Sequence, residues 1–163
     1  MATTYPRAER AAQARAAEAQ LAADGIDGVV FGWVDNAGLT RVKSVPLAQL
    51  EHAAEYGVGA VPCFDVALVD DSFTAAPSST GPVGGLRLVP DLDRLTPLAA
   101  QPGWTWAPAD RCTQDGTPHP GCQRRFARQV TEALERRGLS VRAGIEVAER
   151  LVHRAGLHRA ACT

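Results

Sequence analysis

The sequence predicts an α+β fold: a β-grasp-like small mixed or mostly antiparallel sheet that opens with a hairpin and is crossed by a helix, followed by a further helix and one strand. Three observations predict it. Residues 31–46, FGWVDNAGLTRVKSVP, read as two strands joined by a tight turn that lead straight into a helix. Residues 121–137 carry the strongest helical periodicity, with Phe126, Val130, Ala133 and Leu134 at helical spacing. The coarse order is strand, strand, helix, strand, strand, with no internal repeat.

Taken in order, Pro6 to Ala23 is an Ala-, Glu-, Gln- and Arg-rich run of high helix propensity, stopped at Gly25. Its apolar face is mostly alanine, so it can pack only shallowly. Val29, Phe31 and Trp33 alternate with Val30, Gly32 and Val34, the period of a strand. Asp35-Asn36-Ala37-Gly38 supplies turn chemistry, because Asp and Asn bond their own backbone and Gly accepts positive φ. The return strand, Leu39–Val45, places Arg41 and Lys43 on one face, which reads as a solvated face or an anion- or subunit-binding pair. Pro46 ends it and suits the first turn of the helix Leu47–Tyr56, which Gly57 stops. Val61–Val69 alternates as a strand, and residues 75–85, AAPSSTGPVGG, form a loop. Leu86–Val89 is a short strand stopped at Pro90; Asp91–Leu95 is one helical turn; Thr105–Ala107 is a strand between Trp104 and Pro108. After the tight turn at Asp115-Gly116 and the helix 121–137, with Gly138 as its stop, Leu139–Val147 returns to strand period.

With 163 residues, 45% hydrophobic and 21% charged, the chain is one domain with a small appendage and has the means to bury a core. The net charge of −1 argues against nucleic acid as a partner. No apolar run is long enough for a bilayer, and the N-terminus lacks a signal-type apolar block, so no membrane is expected and the cytoplasm is the expected compartment. The four cysteines, at 63, 112, 122 and 162, form no C-x-x-C pair and read as free thiols.

Four segments together resemble the N-terminal part of the glutamine synthetase family. FGWVDNAGLTRVKSVP is similar to that family's strand–D-x-x-G-x-x-R-x-K-x-V-P hairpin, and GPVGGLRLVPDLDRL to its G-D-[LM]-x-L-x-P-D-x-x-[TR]-L stretch. WAPADRCTQDGTPHPGCQRRFARQV is similar to D-x-x-x-x-D-G-x-P leading into the P-R-x-x-L helix, and SVRAGIEV to the strand bearing the E-x-E metal ligands. The segments run from about residue 26 to 147 in family order. The resemblance implies three regions: an N-terminal helix (1–24), a β-grasp domain (25–110) and the start of a catalytic domain (111–163). It also implies ATP-dependent joining of a carboxylate to ammonia or an amine through an acyl phosphate. Mg²⁺ or Mn²⁺ would neutralise the transferring phosphate, and a site closed against water would be needed. Neighbouring subunits of a homo-oligomer are the implied partners. The pattern GVGAVPCFDVALVDD, residues 57–71, looks closer to members acting on amines or unusual substrates than to the housekeeping enzymes.

The departures matter as much. Glu146 stands where the first Glu of E-x-E would be and is the one candidate metal ligand; Ala148 stands at the second, and Glu149 faces the other way. Gly85 stands for the usual Asp and Gln123 for the Pro of P-R. Phe64-Asp65 is similar to the start of the ammonium-site loop, but no Gly-Ser-Ser follows, so that role is not carried onto Asp65. Arg150, Arg154 and Arg159 match no nucleotide- or phosphate-binding position. The expectation is a reading frame that shifts or ends near Ala148, leaving no catalytic residue and no cofactor of its own to this chain; the alternative is a stand-alone module that binds or regulates a full-length synthetase.

Other residue sets read plainly. Cys112, His119 and Cys122 match no zinc spacing, and His153 and His158 are five apart, so neither reads as a metal site. The glycines of GPVGG follow no phosphate-loop pattern. The arginines of helix 121–137 read as a solvated face with glutamate partners, and Trp33, Trp104 and Trp106 as core or interface packing.

Overall fold

The computed structural model describes residues 6–70, 72–74 and 84–144. Among them are three helices, α1 (Arg7–Ala23), α2 (Leu50–Tyr56) and α3 (Gln123–Glu135), and six strands. The strands are β1 (Gly28–Val34), β2 (Thr40–Pro46), β3 (Val58–Ala60), β4 (Leu86–Pro90), β5 (Thr96–Pro97) and β6 (Trp104–Cys112). They form one sheet in the order β2-β1-β6-β4-β3, with β5 also on β6. β1 and β6 run parallel at its centre, whereas the other pairings are antiparallel. The sheet is therefore mixed, and α1 and α2 lie on one face of it, as the α+β reading requires.

Local sequence explains the core. Val29, Phe31 and Trp33 of β1, Leu86 and Leu88 of β4, and Ala107 and Ala109 of β6 share the face that α1 and α2 cover. Leu47, Leu50, Ala53 and Ala54 answer from the α2 side, while α1 contributes Ala14 and Leu21, with Ala17 packed beside them. Fully burying a side chain such as Phe31 or Leu50 contributes ~1.5–3 kcal/mol, so this cluster is the main source of stability. The alanine-rich α1 adds little apolar surface and is fixed by polar contacts as well. Arg10 donates from Nε to the Ala54 carbonyl at 3.2 Å and from its terminal nitrogen to the Pro90 carbonyl.

The hairpin is set by Asp35, whose side chain is buried. Its Oδ1 accepts from the backbone N–H of Ala37 (3.0 Å) and Leu39 (2.9 Å), and its Oδ2 accepts from Arg41 Nε (2.8 Å). Gly38, at φ +81°, takes the left-handed position of the turn. Burial pushes the Asp35 carboxyl up, but the bonds from Arg41, Leu39 and Ala37 outweigh it and hold it below the usual aspartate value. Arg41 is thus a structural partner of Asp35, lying 4.6 Å from the Phe64 ring centroid, and not part of a solvated or anion-binding pair; Lys43 is exposed.

Three expectations change. Val61–Val69 is not a strand: Pro62–Asp65 is a short 3-10 helix, with Pro62, which has no N–H for a ladder, at its start. The sheet is extended instead by Val58–Ala60. β6 does not stop at Pro108 but runs to Cys112. Proline is tolerated there because the strand changes partners: β1 pairs with residues 104–108 and β4 with 109–112. Finally, Leu139–Gly144 carries no strand and is exposed, and no strand among the described residues bonds it; 145–147 lie outside the described residues. The loop 75–83 and the tail from 148 also lie outside them.

Opposite the helices, Trp104 and Trp106 lie over Gly28 and Gly32 of β1. A Cβ at either glycine would overlap an indole ring. Replacing Gly32 by Val should therefore destabilise the chain by about 1–3 kcal/mol, the usual cost of overpacking. Urea denaturation of Gly32→Val beside the parent chain measures this, and equal midpoints would show that the indole moves aside freely.

Candidate functional site

The polar chemistry of the molecule gathers at the end of β6, where Asp110, Arg111 and Cys112 are all buried in succession. A strand end with buried residues on both faces needs cover from both sides. One side is α3. Asp110, 3% exposed, accepts from Arg124 Nη1 at 2.9 Å and from Arg128 Nη1 at 2.8 Å. Arg124 also donates to Asp91, and Arg128 Nη2 lies 3.7 Å from the same carboxylate. Burial presses the Arg124 guanidinium down, but its bonds to Asp91 and Asp110 outweigh that and raise its pKa. The two arginines stand four apart, one helical turn, so both reach the same pair of aspartates.

The other side is a clamp around Arg111. Its guanidinium donates to Asp65, in the turn after β3, and to the Gly121 carbonyl, in the turn before α3. Its backbone N–H donates to Cys122 Sγ at 3.3 Å, and Asn36 Nδ2 donates to the Asp65 carbonyl at 2.7 Å. One buried cation thus ties two loops together, and Asn36 adds the hairpin turn to them through the Asp65 carbonyl. His119 Nδ1 lies 3.8 Å from Asp65 Oδ2, buried and without a hydrogen-bond partner. Burial and the nearby Arg111 charge both push the His119 pKa down, so the ring is neutral at pH 7. Burial pushes the Cys112 thiol up to about 12, which leaves it protonated and inert.

Between the hairpin and the start of α3 lies a cleft of about 290 Å³. Gly32, Trp33 and Trp106 give it an apolar floor, and Thr40, Gln123 and Arg124 stand at its edge. Gln123 Nε2 reaches back to the Asp35 carbonyl (3.3 Å) and Asn36 Oδ1 (3.2 Å), joining α3 to the hairpin turn. Such a cleft can seat an apolar or planar group and offers it few charges, because both guanidinium groups near it are already paired.

The placement of the sequence candidates follows. Glu146, the candidate metal ligand, lies outside the described residues, as do Ala148, Glu149, Arg150, His153, Arg154, His158, Arg159 and Cys162. Cys112, His119 and Cys122 do not form a ligand set: Cys122 serves Arg111 and His119 faces Asp65. No group of three or more His, Cys, Asp or Glu among the described residues could hold a metal. Cys63, Cys112 and Cys122 are free thiols. No described helix is long and apolar enough to cross a membrane. Arg124 and Arg128 are not a solvated face with glutamate partners; they answer aspartates on the sheet. That pairing was invisible in the sequence, although two arginines one turn apart and the aspartates of PDLD and PAD were its signal. Trp33 is core, Trp106 lines the cleft, and Trp104 is partly exposed.

No protein-family model matches the chain. It is 52% identical over 136 residues to the gamma-glutamylpolyamine synthetase GlnA3 of Streptomyces coelicolor, a match covering 83% of this chain and 29% of that protein. The chain belongs to the glutamine synthetase family. A solved glutamine synthase homologue shares its fold with a TM-score of 0.60 at 32% identity, over 69% of this chain and 27% of that one. The solved GmaS/ADP complex superposes with a TM-score of 0.61 over 74% of this chain and 25% of that one; at 22% identity it shows the fold alone. The chain spans between 25% and 29% of the length of the three proteins it matches.

Two measurements test the site. Asp110→Ala should cost about 1–3 kcal/mol, because it removes the buried carboxylate that Arg124 and Arg128 share and leaves Asp91 to answer both. Arg128→Gln should cost ~1 kcal/mol or less, since that side chain is 38% exposed and Arg124 still holds the carboxylate. Denaturation of the two variants gives the ranking. His119 supplies a pH signature. Its folded pKa lies below its unfolded value of about 6.5, so the unfolded chain binds more protons as pH falls below that value. Stability should be full above pH ~6.5 and decline as pH drops toward the lower folded pKa, and His119→Gln should remove that part of the decline. Parallel stability curves for parent and variant between pH 7 and 5 would sink the assignment.

Proposed function

We propose that this chain is the N-terminal part of a glutamine synthetase-family ligase that uses ATP to join a carboxylate to ammonia or an amine, in γ-glutamylamide or glutamine synthesis. The observation that carries the reading is the 52% identity over 136 residues to a gamma-glutamylpolyamine synthetase. A match over 136 of the chain's 163 residues takes in the hairpin, β6 and the turn before α3, where the buried groups described above reside.

On this reading the chain divides into the N-terminal helix, a β-grasp domain over residues 25–110 and the first elements of a catalytic domain from 111. The described residues do not assemble a metal-ligand set, and they offer no phosphate-binding loop of the strand-to-helix kind. By resemblance to the family, ATP and Mg²⁺ or Mn²⁺ belong to the remainder of such an enzyme, with Glu146 as this chain's one candidate contribution to the metal. The chain by itself is inactive, its compartment is the cytoplasm, and its partners are neighbouring synthetase subunits rather than nucleic acid or a membrane. What the chain supplies is a rigid wall: the sheet, the indole-floored cleft and the clamp at the end of β6. Such a wall suits a reaction whose acyl phosphate must be kept from water.

The test is a chimera in which this chain replaces the matching segment of the Streptomyces coelicolor synthetase. ATP-dependent ligation within about tenfold of the parent enzyme is expected, whereas this chain alone, with ATP, Mg²⁺, glutamate and an amine, should release no phosphate above background. A folded chimera without turnover overturns the ligase reading, and turnover by the chain alone overturns the claim that it is inactive.

A further inference from the structure

The turn 117–122, which carries the chain from β6 into α3, closes around a ring nitrogen that it does not satisfy. His119 is held by backbone bonds on both sides: its N–H donates to the Arg111 carbonyl at 2.9 Å, and its carbonyl accepts from the Cys122 N–H at 3.0 Å. Pro118 and Pro120 flank it and restrict the backbone further. A Cβ at Gly121 would stand 3.2 Å from the ring, so the turn packs against it with no slack. The Nδ1 atom is buried without a hydrogen-bond partner, 3.8 Å from Asp65 Oδ2.

The charges around the ring decide what a proton does there. Asp65 faces it from the 3-10 helix after β3 and Arg111 from β6. Arg125 of α3 and the Cys122 thiol line the same small recess. Asp65 Oδ1 already accepts from Arg111. One carboxylate thus stands among two guanidinium groups before His119 ionises, and a proton on His119 adds a third cation. The backbone bonds, the two prolines and Gly121 keep the ring from advancing onto Asp65 Oδ2. The element free to yield is the turn, which Arg111 holds through the Gly121 carbonyl and the Cys122 sulfur.

We propose that His119 is an acid-sensitive pin: when its ring gains a proton, the turn 117–122 lifts off Arg111 while the sheet stays folded, and the entry to α3 is released. In the closed turn, burial and Arg111 hold the proton off the ring. In the open turn the ring is solvated and binds a proton at the ordinary value of about 6.5. Opening therefore takes up a proton below that value, and each pH unit favours the open turn by up to about tenfold until the closed ring titrates too.

The reporter is Cys122, which is 3% exposed and whose Sγ accepts from the Arg111 N–H at 3.3 Å. The chain is treated with a dithiodipyridine, which reacts with thiols in mild acid, and cleavage before Asp115 puts Cys112 and Cys122 on separate peptides. Each Cys122 rate, divided by that of the urea-unfolded chain at the same pH, gives the open fraction. From pH 7.5 to 5.5 it should rise roughly threefold to tenfold and exceed the globally unfolded fraction found by urea denaturation. The rise should level off where the His119 ring titrates in the folded chain, read by proton NMR. His119→Gln, shown to be folded by circular dichroism, should abolish it; if that variant does not fold, the parent chain's NMR midpoint decides. An open fraction that stays constant, or that falls as the ring closes onto Asp65, overturns the proposal. So does one equal to the globally unfolded fraction, an equal rise in folded His119→Gln, or a folded-chain midpoint at or above ~6.5.

Discussion

A carboxylate with 3% of its surface exposed must be answered by positive charge or given up as a charge, and Asp110 is answered by two arginines from α3. That requirement settles more than the fate of one side chain. It sets where α3 lies and which way it turns, and so which of its faces looks outward. It also places Gln123 against the hairpin turn and walls the cleft over Trp106. Without the charge at the end of β6, α3 would have an apolar stripe and a ring of arginines and no reason to prefer one seat over another.

Asp35 and Asp110 solve the same problem by different routes. Asp35 is satisfied locally: two backbone N–H groups and Arg41, all within six residues, surround it, so the turn carries its own solution. Asp110 is satisfied at a distance, by residues on a separate helix and in company with Asp91, which lies in the turn after β4. Arg111 repeats the second pattern with the sign reversed, a buried cation held by Asp65 and the Gly121 carbonyl. The end of β6 is therefore a place where loops far apart in sequence are pinned by charge. Here too the His119 ring stands with its Nδ1 3.8 Å from Asp65 Oδ2, beyond hydrogen-bond reach.

The hairpin, α1, α2, the turn at Asp91 and the extent of α3 were legible because each depends on residues near one another in the chain: alternation, proline and glycine stops, and an aspartate that folds back on its own turn. The errors have a common physical source. Residues 61–69 alternate, but Pro62 withholds a donor and opens a 3-10 helix, and only an isolated bridge, Ala67 to Phe73, follows it. Pro108 looks like a strand end, but β6 exchanges β1 for β4 there. Residues 139–144 have strand period and no partner among the described residues. Periodicity reports which face of a strand would be apolar; it does not report whether another strand is there. The charges of the site were hidden for the same reason, since Arg124 and Arg128 point to glutamates on their own helix in the sequence and to aspartates across the sheet in space.

From its letters alone, the chain determined an α+β fold, an antiparallel opening hairpin and kinship with the glutamine synthetases, because short-range patterning and the order of motifs survive without any tertiary contact. Only the folded structure decided that β1 and β6 lie parallel at the centre, that Gly28 and Gly32 are the seats of two indoles, and that α3 is turned with its cations inward and Phe126 outward. Those are pairings between residues up to some eighty positions apart, and the energy of a buried charge or a packed ring depends on what stands across from it, which no neighbour in the sequence can supply.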